Sequence, residues 1–363
     1  MKRFIEITGL FFLPLLVSAQ SAYIPPEKPT LVIGVFVEQL RYDQLDRIWN
    51  ILPEGGLKRL VGEGAFYRNA SVDYLSTQAA PAWATISTGA APAAHGITSD
   101  TWFHPFNDQM IYCVQDPDAS PVGGSFETGL FSPVNLLSST FSDELEMATG
   151  GRSKTFGIGF KEMGAILTAG HAADGAFWYD DRTGTWMSST WYIDSLPSWV
   201  MDLNAMMLPL QYLNHPWEPL TELSLCPGCQ PDTSEFERGF EGQTWFPYDL
   251  KDLSTDGKLL NKTRNAGFLR ETPFADDFTT EMARRLIENE GLGQDDVTDY
   301  LAITYSATDY IGHRFGPTSV ETTDALVRLD RNINQLLGMI DRSLGKKNVL
   351  VYLVSAHGVS EIP

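Results

Sequence analysis

The stretch TLVIGVFVE, residues 30–38, is an almost unbroken apolar run that ends on a carboxylate. A short run of this kind, with no polar alternation, fits a strand buried on both faces, as in parallel sheets covered by helices. Outward from it the chain repeats strand and helix. RYDQLDRIWNI (41–51) reads as a helix, with Leu45 and Ile48 among its apolar positions. GGLKRLVGEGAFYRN (55–69) reads as a second short helix and a strand entry. PAWATISTG (81–89) predicts a helix with Pro81 in its first turn, where proline is tolerated. In NLLSSTFSDELEMAT (135–149), Ser and Asp before acidic residues mark a helix start.

KTFGIGF (154–160) predicts a strand, followed by Lys161. GAFWYD (175–180) and TWMSSTWY (185–192) form a strand pair joined by DRTG, a hairpin signal. DDFTTEMARRLIENEGLG (276–293) is a helix closed by Gly291. DYLAITYSATDYIGH (299–313) begins as a strand, and TTDALVRLDRNINQLLGMIDRSLG (322–345) is a long amphipathic helix. NVLVYLVSA (348–356) is another apolar strand. The order implies an α/β sandwich, with a mostly parallel central sheet and helices on both faces. Residues 205–260, rich in Pro, Trp and Asp and without period, read as a cap or loop insertion.

Composition bounds the function. The chain has 363 residues, 43% of them hydrophobic, enough for a sizeable core, and a formal net charge of −20. Such a field excludes an extended nucleic-acid surface and leaves anions to be bound through metal ions or a few placed cations. The start, MKRFIEITGLFFLPLLVSAQ, has a basic end, an apolar stretch and small residues before Gln20. It reads as a secretory signal (1–19) cleaved near Ala19, which implies a secreted or periplasmic protein with no membrane span in the mature chain. An uncleaved anchor is the alternative. CPGC (226–229) fits a local disulfide in an exported chain, with a metal half-site or redox pair as alternatives, and Cys113 is left over as a buried thiol.

In open α/β sheets ligands gather beyond the strand C-termini. The strands deliver Glu38, then Asp309 and His313, then His357 to that edge. Asp, Glu and His together suit zinc before calcium. On a helical turn, Asp309 and His313 share a face. STQAAPAWATISTGAAPAAHGITSDTW (76–102), crowded with small residues, looks like a site loop, yet Ala79-Ala80 stand where a nucleophile is expected. His95 and His171 read as structural, and Trp83 as filling space.

The set TLVIGVFVEQLRYD, ATISTGAAPAAHGITSDTW, KEMGAILTAGHAADGAFWYD, YSATDYIGHRFGPTS and LVSAHGVSEIP resembles the alkaline phosphatase superfamily. It is most similar to exported bacterial phosphate-monoester hydrolases with a threonine nucleophile, near the type I phosphodiesterase and nucleotide pyrophosphatase group. The resemblance runs from about residue 28 to 363. It implies two zinc ions beyond the sheet. One would take Asp309, His313 and a later His; the other would take the first-strand Asp, the threonine and an Asp-His pair. Here those positions read Glu38 for the strand Asp, Ala79 for the threonine and Ala356-His357 for the pair. Of the phosphate-holding residues Lys161 survives, while the expected Asn is Asp100 and the expected Arg is Met163.

The resemblance also implies a longer domain, so that 20–363 is an alkaline-phosphatase-like domain incomplete at its C-terminal end, lacking the last metal His. Alanine has no oxygen to attack phosphorus, and Met163 removes a bidentate phosphate donor. Three functions follow as expectations. The first is an exported superfamily member that has lost covalent phosphoryl transfer, holding one zinc ion or none. It would bind a phosphorylated small molecule or a protein partner, and no nucleic acid. The second is a metal-dependent phosphate-ester hydrolase with residual activity. The third is a decayed or truncated fragment.

Overall fold

A computed structural model describes residues 28–106, 108–222, 228–251, 253 and 264–360. The signal-like residues 1–19, Cys226 and part of the 205–260 segment lie outside them. In chain order the elements are β1 (Leu31–Val37), α1 (Tyr42–Ile48), α2 (Leu57–Glu63), α3 (Ala79–Thr88) and α4 (Pro92–His95). There follow β2 (Thr101–His104), β3 (Gln109–Tyr112), β4 (Pro121–Val122), α5 (Phe141–Thr149), β5 (Thr155–Gly159) and α6 (Glu162–Ala169). Next are β6 (Gly175–Asp180), β7 (Thr185–Ser189), α7 (Ser198–Ala205), α8 (Leu208–Leu213) and α9 (Phe274–Glu290). The last are β8 (Asp299–Tyr305), α10 (Ala307–Phe315), α11 (Val320–Ser343) and β9 (Val349–Ser355).

Seven strands form the main sheet in the order β4-β7-β6-β5-β8-β1-β9. The pairs β5–β6, β5–β8, β8–β1 and β1–β9 are parallel, and β6–β7 and β7–β4 antiparallel. The expected mostly parallel α/β sandwich is therefore what forms. The period of two along β1 divides its side chains between two cores. Leu31, Ile33, Val35 and Val37 face a core shared with Phe278 and Leu286 of α9 and Leu329 and Ile333 of α11. Val32 and Phe36 face the other core, with Trp83 of α3 and Ala165 and Ile166 of α6. Each large side chain buried there contributes roughly 1.5–3 kcal/mol, which is why an unbroken apolar run reads as a two-sided strand.

Local expectations meet two corrections. The helix of 135–149 begins only at Phe141, because Thr140 caps it by accepting a bond from Asp143 N–H. No strand forms among residues 65–78. In the described part of 205–260, Trp217, Phe240, Phe246 and Tyr248 are buried in the first core around Phe315. β9 pairs with β1 and ends the sheet, with Leu350 54% exposed. Among the described residues no helix is long and apolar enough to cross a membrane.

Two features hold the site end of the sheet together. Helix α6 lies so close on β5 that a Cβ on Gly157 would stand 2.2 Å from the Ala165 carbonyl oxygen. After α6, His171 faces two acceptors. Its Nδ1 is 3.0 Å from the Asp143 carboxylate and its Nε2 is 2.8 Å from the Leu136 carbonyl, a pairing the doubly protonated ring satisfies. Backbone N–H groups of His171 and Ala172 donate to the same carboxylate. Burial would raise the Asp143 pKa, but the His171 ring, the N–H groups of Thr140 and Ala172 and the Thr140 side chain outweigh it and hold it at about 2. The hydrogen bond to Asp143 raises His171 above its ordinary 6.5.

Two predictions follow from this packing. Gly157→Ala lowers stability by about 1–3 kcal/mol or more, because the obstructing atom is backbone; denaturant melts measure it. The Asp143 contribution is present above its ordinary 3.8 and lost as pH falls through about 2, and that of His171 is complete below 6.5 and lost as pH rises through its raised value. The Tm difference between wild type and His171→Ala is therefore largest from about pH 4 to 6.5 and narrows on both sides.

Candidate active site

Three adjacent central strands deliver the charged residues. Glu38 directly follows β1, Lys161 stands two residues past β5, and β8 leads through Ser306 into α10, which carries Asp309 and His313. Lys161 Nζ lies 2.5 Å from Glu38 Oε2 and 2.6 Å from Asp309 Oδ2. The ammonium also stands over the Tyr310 ring, 4.8 Å from its centre. The other Asp309 oxygen accepts a 2.8 Å bond from Gln39 Nε2, and His313 Nε2 approaches it at 3.4 Å. Gln39 is held in the left-handed region at φ 59°, packed against Gly312, where a Cβ would meet its amide oxygen at 1.9 Å.

The electrostatics follow from burial and pairing. Glu38 is fully buried; desolvation pushes it up to about 7, against the pull of Lys161. Burial alone would lower Lys161, but Glu38, Tyr310 and Asp309 hold it above the usual lysine range. Burial works against the Asp309 carboxylate, yet His313 and Lys161 keep it well below the ordinary value. Neither Glu38 oxygen nor the Trp83 indole N–H makes a hydrogen bond of good geometry among the described residues, so Lys161 meets Glu38 as a close ion pair, and the nearby indole adds a smaller pull on its pKa.

The structure thus brings Glu38, Asp309 and Lys161 together, with His313 beside them. His357 lies at the same sheet edge, where Ala356 N–H meets the Val37 carbonyl; its Nδ1 is 3.2 Å from the Gly358 carbonyl, and among the described residues it makes no hydrogen bond or ion pair with Glu38 or Asp309. Neighbouring Ala356 is buried and offers no side-chain ligand. Zinc requires about four side-chain or water ligands at roughly 2 Å. No group of three or more His, Cys, Asp and Glu suited to a metal ion occurs among the described residues. An ammonium between the two carboxylates takes the space a shared ion would need. The residues present, in this arrangement, do not fit a zinc pair.

The expected nucleophile position opens helix α3. Ala79 is its first residue and is buried. The next residue, Ala80, donates its N–H to Asp100 Oδ1 at 2.9 Å. Gln78 Oε1 in turn accepts from Asp100 N–H and Ser99 Oγ. Helix N-termini attract anions, and here a carboxylate of the chain already meets that end. Met163, in the first turn of α6, is buried in the second core. His95 bonds locally, Nε2 to Thr85 Oγ1 at 3.0 Å and Nδ1 accepting from Ile97 N–H.

Sequence patterns missed Gln39, Tyr310 and Arg270. Arg270 lies 5.6 Å from the Tyr310 ring and pairs with Asp181. With Glu162 these residues line a cavity of about 180 Å³ beside Lys161. Tyr310 lies inside the DYIGH motif, a signal that could have found it; Arg270 has no local signal. Cys229 is disulfide-bonded and Cys113 is a free, buried thiol.

Comparison with known proteins places this geometry. Residues 32–363 match the model of the type I phosphodiesterase / nucleotide pyrophosphatase family. The alkaline phosphatase PhoV of Synechococcus elongatus is 39% identical over 338 residues, 93% of this chain and 60% of that protein. The alkaline phosphatase PafA of Elizabethkingia meningoseptica is 36% identical over 357 residues, 98% of this chain and 64% of that protein. The chain thus spans about three-fifths of the length of these relatives. The crystal structure of wild-type PafA superposes with a TM-score of 0.87 at 37% identity, covering 93% of this chain and 64% of that one. A PafA variant substituted at one threonine, one asparagine, one lysine and one arginine superposes equally well. The chain belongs to the type I phosphodiesterase / nucleotide pyrophosphatase family, within the alkaline phosphatase superfamily.

Proposed function

We propose that this is an exported superfamily member that has lost covalent phosphoryl transfer and keeps the scaffold for binding. The observation that carries the reading is the start of α3, where Ala79 has no oxygen and the Asp100 carboxylate faces the N–H of Ala80. Covalent transfer needs an activated oxygen at that place, and Ser76 and Thr77 stand three and two residues too early. An error of even about 1 Å in such a position is costly. By the resemblance, the four positions substituted in the PafA variant are those of Ala79, Asp100, Lys161 and Met163 here, and Lys161 alone keeps the family residue.

Phosphate would meet a carboxylate at the helix end, and it would find Lys161 shared by two carboxylates. Zinc, one ion or none, belongs to this reading as an expectation of the resemblance. Export is supported by the signal-like residues 1–19 and by the disulfide at Cys229, a bond that persists in oxidising compartments. The partner is a phosphorylated small molecule held without turnover, or a protein.

Assays of the mature chain with phosphate monoesters and diesters test the reading. The expected outcome is no turnover above the uncatalysed rate and no phosphorylated enzyme on rapid quench, with Ala79→Thr alone restoring neither. Robust hydrolysis by the wild type would overturn it. Asp100→Asn keeps an oxygen for Ala80 N–H and removes the charge. It is expected to tighten binding of inorganic phosphate about tenfold, ~1.4 kcal/mol, by equilibrium dialysis.

A further inference from the structure

The geometry points to Lys161 as the resident cation of the Glu38–Asp309 carboxylate pair, an internal ammonium that excludes divalent metal from this end of the sheet. The inference deepens the preceding reading and rests on it for the placing of the family's metal pair. An ammonium has three hydrogens and no acceptor. Here it has Glu38 Oε2 at 2.5 Å, Asp309 Oδ2 at 2.6 Å and the Tyr310 ring face at 4.8 Å. The second Asp309 oxygen is committed to Gln39, whose left-handed backbone fixes where its amide points.

A metal entering this place must break both lysine contacts and leave the ammonium without a partner in a site where its side chain is only 15% exposed. Removing one member of a buried ion pair is strongly destabilising, because the other charge stays buried and uncompensated. Among the described residues the entering ion would find Glu38, Asp309 and His313, with His313 lying mostly in solvent. Both carboxylates are already held by Lys161, and no group of three or more side chains suited to a metal ion occurs among the described residues. The exchange therefore runs against the metal, whereas a lysine that merely awaited phosphate would be free to leave the carboxylates.

The experiment uses the mature chain stripped with chelator, titrated with zinc by calorimetry and followed by thermal melts. Three chains are compared: wild type, Lys161→Arg and Lys161→Met. Wild type and Lys161→Arg are expected to show no saturable zinc binding in the micromolar range and no zinc-dependent rise in Tm. Lys161→Met is expected to melt lower without metal, to bind zinc at least about tenfold more tightly than wild type, and to regain Tm on adding zinc. If Lys161→Met folds only with zinc present, that also supports the assignment. Nanomolar zinc binding by the wild type would overturn it, as would a Lys161→Met chain with wild-type zinc affinity.

A second measurement needs no variant. Lys161 in the wild type is expected to resist an amine-reactive reagent whether or not zinc is added, and labelling at the rate of surface lysines would overturn the assignment. The two readings fail separately. Tight zinc binding without hydrolysis would remove the lysine assignment and leave the lost-transfer reading standing; hydrolysis with no saturable zinc binding would do the reverse.

Discussion

Two carboxylates brought together in a buried place repel each other unless a cation separates them, and the ammonium of Lys161 between Glu38 and Asp309 is that cation. The rest of the site end is arranged around it. β5, β8 and β1 are neighbours in the sheet, so the residues that follow them converge. Gln39 gives up an ordinary backbone conformation to donate to Asp309, and Gly312 leaves room for it. Tyr310 closes the ammonium from one side. Buried ion pairs add little net stability compared with apolar packing, but their geometry is demanding. They fix which side chains meet more than how tightly the domain holds.

A second internal charge lies at the same end. The first turn of α3 presents N–H groups without partners in their own helix, and Asp100 meets one of them. The scaffold shared with PafA is kept at a TM-score of 0.87. Shape in this fold is set by the two cores on either side of the sheet, which do not depend on the oxygen of one loop residue. A family scaffold therefore does not by itself carry the family's activity, which has to be argued from the site.

Away from the site, the aromatic cluster around Trp217 and Tyr248 buries carboxylates of its own. Glu321 accepts from the Tyr248 hydroxyl at 2.6 Å, while both Glu237 oxygens lack hydrogen-bond partners among the described residues. Burial first, and then the neighbouring carboxylates Glu321 and Asp232, push Glu237 up to about 8. A carboxyl protonated at neutral pH avoids most of the cost of a buried charge, which is how an acidic chain can fold acidic residues inward.

The sequence by itself determined what depends on neighbours along the chain. The unbroken run of β1, the hairpin at DRTG, the amphipathic period of α11 and the Gly291 stop, at φ 63°, are all local signals set by backbone bonding and side-chain period. The sharing of one helical face by Asp309 and His313 was legible for the same reason. Tertiary structure alone decided which strands are adjacent, and with that the partners of Lys161. Its contact with Asp309 spans 148 residues of chain, and that of Gln39 with Asp309 spans 270. No periodicity reaches so far. The burial of Trp217 and its neighbours was equally hidden, because an irregular segment packs through shape and leaves no repeat to read. A charged side chain takes its role from what lies across the sheet, and the chain's local order does not contain that information.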